Sequence, residues 1–240
     1  MPDPIFAHPH LAQIYDEFEG ARTDLTAYAA VADELNAQTV IDIGCGTGSF
    51  AVRLASTGRA VTAVDPASAS LEIARAKKAP PGICWLQGDA TTLPEVGADL
   101  AVMTGNVAQV FVTDDEWADT LNSIARSLSG GGHFVFETRR PGRRAWEEWA
   151  DSEPVVRDIP GIGRVERSLD VTAVELPLVS FRHTYTFAAD GTVLVSDSTL
   201  RFREQAEVEA DLAAHGYRIR DVREAPDRPG RELVFIAEKP

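Results

Sequence analysis

Asp42, Gly44, Gly46 and Gly48, with Asp65 lying 17 residues beyond the last glycine, are the residues of this 240-residue chain best spaced for chemistry. Three glycines in five positions let a ligand lie against bare backbone, because no Cβ blocks the approach and left-handed dihedrals cost little there. A carboxylate at the tip of the next strand is placed to accept both hydroxyls of a ribose. Asp65 is therefore expected to hold a sugar, and a small polar molecule to lie across the turn. A nucleotide-binding P-loop needs a Lys and a Ser or Thr after its glycines, and a dinucleotide fingerprint places its third glycine one position later. The spacing at 44–48 fits neither.

The elements that must position these residues can be read on either side of them. Val40, Ile41 and Ile43 form a β-branched buried-strand run, the glycines break it, and Ser49-Phe50 lead into a helical pattern. Ala60-Val61-Thr62-Ala63-Val64-Asp65 reads as a second strand ending in its carboxylate. Before the first strand, Leu25, Tyr28, Ala29, Ala32 and Leu35 recur at helical spacing and predict a helix within 21–36 that packs on a sheet.

At these residues the chain resembles the class I S-adenosylmethionine-dependent methyltransferases. Asp42-Ile43-Gly44-Cys45-Gly46-Thr47-Gly48 is similar to the family's first motif, and Asp65-Pro66 to its second-strand acid. Asp89-Ala90, after the strand Ile83-Cys84-Trp85-Leu86, resembles its adenine-side acid. Ala98 to Met103 resembles the fourth strand, and Gly130 to Glu137 the turn and fifth strand. The likeness runs over roughly residues 10–140 and returns at about 204–239.

The resemblance implies an α/β fold: a doubly wound, Rossmann-like seven-stranded sheet whose last strand is antiparallel. It implies S-adenosylmethionine as cofactor, with its methionine part passing Gly44, Cys45, Gly46 and Gly48 and its ammonium near Asp42. Asp65 and Pro66 would lie at the ribose, Asp89 and the Ala90 amide at the adenine, and Thr104, Gly105 and Asn106 beside the sulfonium. His10 to Asp16 resembles the family's N-terminal cover. There Tyr15 would lie over the cofactor, where an aromatic face gains about 0.5 to 2 kcal/mol from a cation, or would serve packing alone.

Residues 151–203 depart from the minimal fold. Val155–Ile159, Arg164–Val174, Val179–Phe187 and Thr192–Phe202 read as strands, with turns at 160–163, Leu176-Pro177 and Asp190-Gly191. Three segments follow: 1–150 as cover and cofactor core, 151–203 as an inserted antiparallel sheet, and 204–240 as the return of the core. The insertion is expected to roof the acceptor as a lid, or to form a dimer contact. On its third strand Phe181, His183, Tyr185 and Phe187 share one face. His183 and Tyr185 are candidates for acid–base work there, with Phe181 as an acceptor contact, against a structural role between aromatics. Glu137 at the end of the fifth strand is a further candidate base. Arg139 and Arg140 would hold an acceptor carboxylate or phosphate, or pair with Glu147 and Glu148.

Composition narrows the partners. A net charge of −14 disfavours a phosphate backbone, so nucleic acid is not expected. Two cysteines, Cys45 and Cys84, suggest no disulfide framework and are expected as small buried residues. No basic leader opens the chain, no run reaches membrane-spanning length, and no histidine pair at helical spacing suggests a metal site. A cytoplasmic monomer or homodimer is expected. It would methylate an oxygen, nitrogen or carbon of a small molecule by in-line displacement. Two alternatives stand beside this: a protein that binds the cofactor without transferring its methyl, and a nicotinamide-dependent oxidoreductase.

Overall fold

A computed structural model describes residues 1–240. Three helices lead in: α1 (Pro4–Ala7), α2 (Pro9–Glu19) and α3 (Leu25–Glu34). The core follows as β1 (Thr39–Ile43), α4 (Ser49–Ala55), β2 (Ala60–Asp65), α5 (Ser68–Ala76), β3 (Ile83–Gln87), β4 (Ala98–Met103), α6 (Asp114–Ser127) and β5 (Leu128–Arg139). The short α7 (Ala145–Ala150) leads to β6 (Val155–Ile159), β7 (Gly163–Glu175), β8 (Leu178–Phe187) and β9 (Val193–Arg201). The chain closes with α8 (Gln205–Ala214), β10 (Arg218–Glu224) and β11 (Glu232–Glu238).

Seven strands form one sheet in the order β10-β11-β5-β4-β1-β2-β3. β1 pairs in parallel with both β2 and β4, while β11 runs antiparallel between β5 and β10. Alternation along β1 sends Ile41 and Ile43 to one core layer, with Leu121 and Ile124 of α6 and Leu212 of α8. Val40 goes to the other, with Tyr28 of α3 and Phe50 and Leu54 of α4. Both faces are covered, so the strand reads as a near-continuous apolar run rather than an alternation. Strand order reverses between β1 and β4, which opens a crevice beyond their carboxyl ends. The glycine turn and the Thr104–Asn106 turn both leave strands at that crevice.

Beyond the core, β6-β7-β8-β9 make a separate antiparallel sheet. The inner face of β8 lies on the N-terminal cover: Tyr185 and Phe187 pack with Leu11, Ile14 and Phe18, and the Tyr185 ring meets Phe18 edge-on at 5.6 Å. Burying a side chain of this size contributes about 1.5–3 kcal/mol. α1 continues the contact, because the Ile5 amide donates to Ser196 Oγ (2.9 Å) and Ser198 Oγ donates to an Asp3 carboxylate oxygen (2.6 Å). No helix is long and apolar enough to cross a membrane.

Two expectations are corrected here. Cys84 is exposed rather than buried, because β3 is the edge strand and has a neighbour on one side only. Ser129 to Gly132 do not form a separate turn: β5 begins at Leu128, and Gly131 and Gly132 exchange backbone hydrogen bonds with Lys239.

The start of α6 sets the length of the loop that crosses the crevice, and a capping box fixes it. Thr113 Oγ1 accepts from the Glu116 amide (3.2 Å) and the Glu116 carboxylate accepts from the Thr113 amide (3.2 Å). T113A is expected to cost about 1 kcal/mol, read as a lower denaturation midpoint in urea with an unchanged slope; no shift would show that the cap carries no stability.

Candidate active site at the carboxyl ends of β1 and β4

Gly44, Gly46 and Gly48 all have positive φ, at 70°, 53° and 80°. The Gly44 and Cys45 amides donate to the Val64 carbonyl (2.8 and 3.1 Å), which ties the turn to β2. A Cβ on Gly44 would come within 2.7 Å of Val107, and one on Gly48 would strike the Trp85 ring. At Gly46 a Cβ would meet nothing within 4 Å, so the turn is open to a ligand there. Asp65 at the end of β2 is buried and accepts from the amides of Gly46 and Ala67, both at 2.8 Å. Each carboxylate oxygen keeps a second lone pair for a further donor. Pro66 beside it is exposed, and Cys45 is half-buried with its thiol pushed up by burial.

Asp42 lies beneath this turn, 1% exposed, and its Oδ2 has no hydrogen-bond partner. Burial, then the charge of Asp65, push its carboxyl up to about 7. An isolated buried carboxylate is costly, and here it adjoins the open turn. Farther along the crevice Asp89 is exposed at the end of β3. Its Oδ1 accepts from the Thr91 amide (2.8 Å) and hydroxyl (2.5 Å), bonds that hold it below the usual carboxylate range. Ala90 next to it is buried.

The N-terminal cover closes the near side. Tyr15 is half-buried against Phe6, with ring centroids 5.5 Å apart. Asp16 accepts from Thr47 Oγ1 (2.5 Å) within the glycine turn and pairs with Lys77 at the end of α5 (2.7 Å); Lys77 also donates to Ser49 Oγ (3.1 Å). A polar cavity of about 280 Å³ lies between Tyr15, Arg22, Gly105, Asn106, Arg139 and Arg228. A second hollow of about 440 Å³ opens on the α4 side, bordered by Asp16, Arg22, Ser49 and Val52. The sequence offered no local signal for Lys77, whose partners Asp16 and Ser49 come from other elements, nor for Arg22 and Arg228, which only the fold brings to the cavity.

Thr104 is half-buried, and Gly105 and Asn106 have φ of 76° and 62°. Both of the latter amides donate to Glu137 Oε1, the Asn106 bond being 2.9 Å. Glu137 is 1% exposed and pushed up to about 7 by burial. Alternation on β5 turns it toward Tyr28, away from the cleft, so the expectation of a base in contact with the acceptor is corrected: Glu137 buttresses the turn. Asn106 Nδ2 donates to the buried Glu232 (3.1 Å), which also accepts from Arg228 (2.7 Å).

Arg139 reaches the cavity from the end of β5. Its guanidinium lies 5.2 Å from the Trp149 ring centroid, and Nη1 donates to Gln109 Oε1 (2.9 Å). Arg140 pairs with Glu224 (3.2 Å) on the far side of that strand end. The expected partners Glu147 and Glu148 pair instead with Arg144 (2.8 Å) and Arg231 (2.5 Å). Phe181 meets Trp149 edge-on at 5.2 Å and His183 at 5.5 Å. His183 Nδ1 is buried without a partner, and burial with the nearby Arg167 charge pushes the imidazole down to about 4. Tyr185 is only 2% exposed and belongs to the packing on α2, so it is not available as an acid or base.

Residues 40–132 match the sequence profile of a methyltransferase domain. The chain therefore carries a methyltransferase domain over these residues. Among curated relatives it is 33% identical over 144 residues to a malonyl-[acyl-carrier protein] O-methyltransferase of Erwinia pyrifoliae, covering 57% of this chain and 53% of that one. It is 32% identical over 118 residues to a cypemycin N-terminal methyltransferase of a Streptomyces species, covering 49% and 48%. The chain thus spans about half the length of these relatives. Solved structures match nearly end to end. The CcbJ methyltransferase of Streptomyces caelestis superposes with a TM-score of 0.77 at 19% identity, covering 95% and 96%. A sugar N-methyltransferase of Streptoalloteichus has a TM-score of 0.76 at 20% identity, covering 92% of each chain.

The residues present fit the family's cofactor. The partnerless Asp42 oxygen suits an ammonium group, the open face of Gly46 suits a chain lying close to backbone, and Asp65 stands at the end of the next strand. Asp42 supplies a pH test. Free, it holds its proton up to about 7; an ammonium beside it favours the ionised form, so binding expels that proton. Affinity for S-adenosylhomocysteine is then complete above about pH 7 and falls below it, by at most about tenfold per pH unit. Calorimetric titration between about pH 5.5 and 8 should show this slope in the wild type and not in D42N; an unchanged slope in D42N would remove Asp42 from the site.

Proposed function

We propose that this chain transfers a methyl group from S-adenosylmethionine to an oxygen, nitrogen or carbon atom of a small-molecule acceptor. The observation that carries this reading is the pairing of an unsatisfied buried carboxylate, Asp42, with an unobstructed glycine turn inside the segment that matches a methyltransferase domain. When bound, the cofactor supplies an electrophilic methyl on a sulfonium. The protein's own work is then to bind, to align the acceptor and to keep water out.

Asp42 and Asp65 hold the donor at its two polar ends, and Asp89 with the Ala90 amide borders the adenine. Thr104, Gly105 and Asn106, braced from below by Glu137, form the wall beside the reacting carbon. Tyr15 covers the cavity from α2. On the acceptor side stand Arg139 on its Trp149 shelf, Phe181 and His183. His183 stays neutral across ordinary pH and carries a buried ring nitrogen without a partner, which would accept a hydrogen bond from an O–H or N–H brought against it beneath the second sheet.

The acceptor is read as small and polar. A solved neighbour is an amino pentose methyltransferase of Micromonospora echinaspora, in a structure with S-adenosylmethionine bound, and another is the sugar N-methyltransferase above. These support an amine or hydroxyl on a sugar-sized molecule, and the net charge of −14 argues against nucleic acid. The second sheet, with segment 151–203, serves as the acceptor's roof. Two free cysteines suit a reducing, cytoplasmic setting.

The test is incubation with S-adenosylmethionine and a panel of amines, hydroxylated small molecules and amino sugars, with product detected by mass. A methylated product is expected, and D65A should bind S-adenosylhomocysteine about tenfold or more weakly. Tight binding without turnover on any class of acceptor would make the chain a cofactor-binding module instead. With an acceptor in hand, H183A is expected to lower kcat/KM about tenfold or more while leaving cofactor affinity unchanged. The wild-type rate should show no His183 titration between about pH 5 and 8. Full activity in H183A would return His183 to packing.

A further inference from the structure

Three arginines border the polar cavity of about 280 Å³, and two of them are already engaged. Arg22 lies in the grip of Asp24 (2.8 Å), and Arg228 pairs with Asp227 (3.0 Å) and Glu232 (2.7 Å). Glu19, the remaining acid of the lining, pairs with Arg167 of β7 (3.4 Å). Of the three, Arg139 alone has no carboxylate within hydrogen-bonding distance. Glu232 Oε1 stands 3.7 Å from its Nε, and that oxygen already accepts from Arg228 and from Asn106 Nδ2 (3.1 Å). Burial pushes this guanidinium below its ordinary value, as expected of a charge short of water and of partners. What does hold Arg139 fixes its direction and leaves one edge free. Its Nη1 donates to Gln109 Oε1 (2.9 Å), and Gln109, itself buried, is oriented in turn by donating from Nε2 to the Arg201 carbonyl at the end of β9 (3.2 Å). The Trp149 ring, its centroid 5.2 Å from Arg139 Cζ, supports the guanidinium as a cation–π shelf. Nε and Nη2 hydrogen-bond nothing in the protein, and that edge matches the two oxygens of a carboxylate or phosphate.

We propose that Arg139 receives a carboxylate or phosphate group carried by the methyl acceptor, so that the protein selects acidic small molecules over neutral ones of similar size. This rests on the methyl-transfer reading and narrows its substrate class. Arg139 leaves the core at the end of β5 and borders the same cavity as Gly105 and Asn106, while its shelf Trp149 meets Phe181 of the second sheet. The free edge therefore stands on the acceptor's side of the turn after β4. A desolvated cation without its own counter-charge gains more from an incoming anion than one already paired, because no existing ion pair has to be broken. Glu232 keeps Arg228 and Asn106 when that anion arrives. Gln109 then acts as a positioning residue: by taking Nη1 it presents the Nε–Nη2 edge, and it does so without touching the acceptor.

The experiment titrates the full chain, saturated with S-adenosylhomocysteine, with three related sugars: glucose, glucuronate and glucose 6-phosphate, followed by ligand-observed NMR. Wild type is expected to bind at least one of the two acidic sugars about tenfold or more tightly than glucose. Preference for glucuronate alone marks a carboxylate site, and preference for glucose 6-phosphate alone a phosphate site. R139Q should bring all three sugars to within about threefold of one another. R139K keeps the charge without the fork and should retain part of the preference, which covers the case where R139Q fails to fold. Q109L leaves the charge but removes its aim, and should shrink the preference while affinity for S-adenosylhomocysteine stays at the wild-type value. No preference or no sugar binding in wild type, or full preference in R139Q or R139K, would overturn the role of Arg139 while leaving the methyl-transfer reading intact. Failure of wild type to bind S-adenosylhomocysteine would sink that reading, and this assignment with it.

Discussion

A buried carboxylate with one oxygen left without a hydrogen-bond partner is the feature around which the crevice is arranged. Asp42 is carried into the core by β1, whose neighbours need its backbone, and its side chain has to end under the glycine turn. Desolvation makes ionisation there unfavourable, and Asp65 close by makes it more so. In the free protein the easiest relief is a proton. A cationic group arriving over Gly46 gives a better one, so the cost of leaving Asp42 alone becomes affinity when the ligand binds. Asp65 is pushed up by burial as well, but offsets part of that penalty by accepting two backbone amides, which also fastens the turn to β2.

A second buried acid works toward the same crevice by different means. Glu137 is turned to the α3 side of the sheet, where it gathers the amides of Gly105 and Asn106 and holds two consecutive positive-φ residues in place. Asn106 in turn reaches Glu232, and Glu232 reaches Arg228. The turn after β4 is therefore held by a chain of polar contacts that reaches β5 and β11. Chains of this kind stay well defined only while every member remains.

Much of this arrangement was readable in advance, and the remainder was not for identifiable reasons. Glycine spacing, the apolar run of β1 and the terminal acid of β2 are local patterns, and so is the Asp190-Gly191 hairpin that helps delimit the second sheet. Whether a strand lies at an edge is not local, and Cys84 came out exposed because β3 has one neighbour. The face of Glu137 depends on how β5 meets Tyr28 from α3. Tyr185 and His183 share one face of β8, yet only the packing of α2 separates the buried phenol from the unpaired imidazole. Arg22 has no local signature, because its place at the border of both hollows is set by how the loop between α2 and α3 meets the turn after β4.

The short leader before α3 is fastened at both ends. Asp3 and Ile5 are bonded to β9, Phe6 accepts a hydrogen bond from Ser70 on α5 (2.9 Å), and Asp16 is bonded to Thr47 and Lys77. Such a strap couples the two sheets mechanically. A displacement of the leader away from the glycine turn must pull on the same residues that seat the second sheet. Loosening any one of these bonds therefore slackens the hold on both sheets at once.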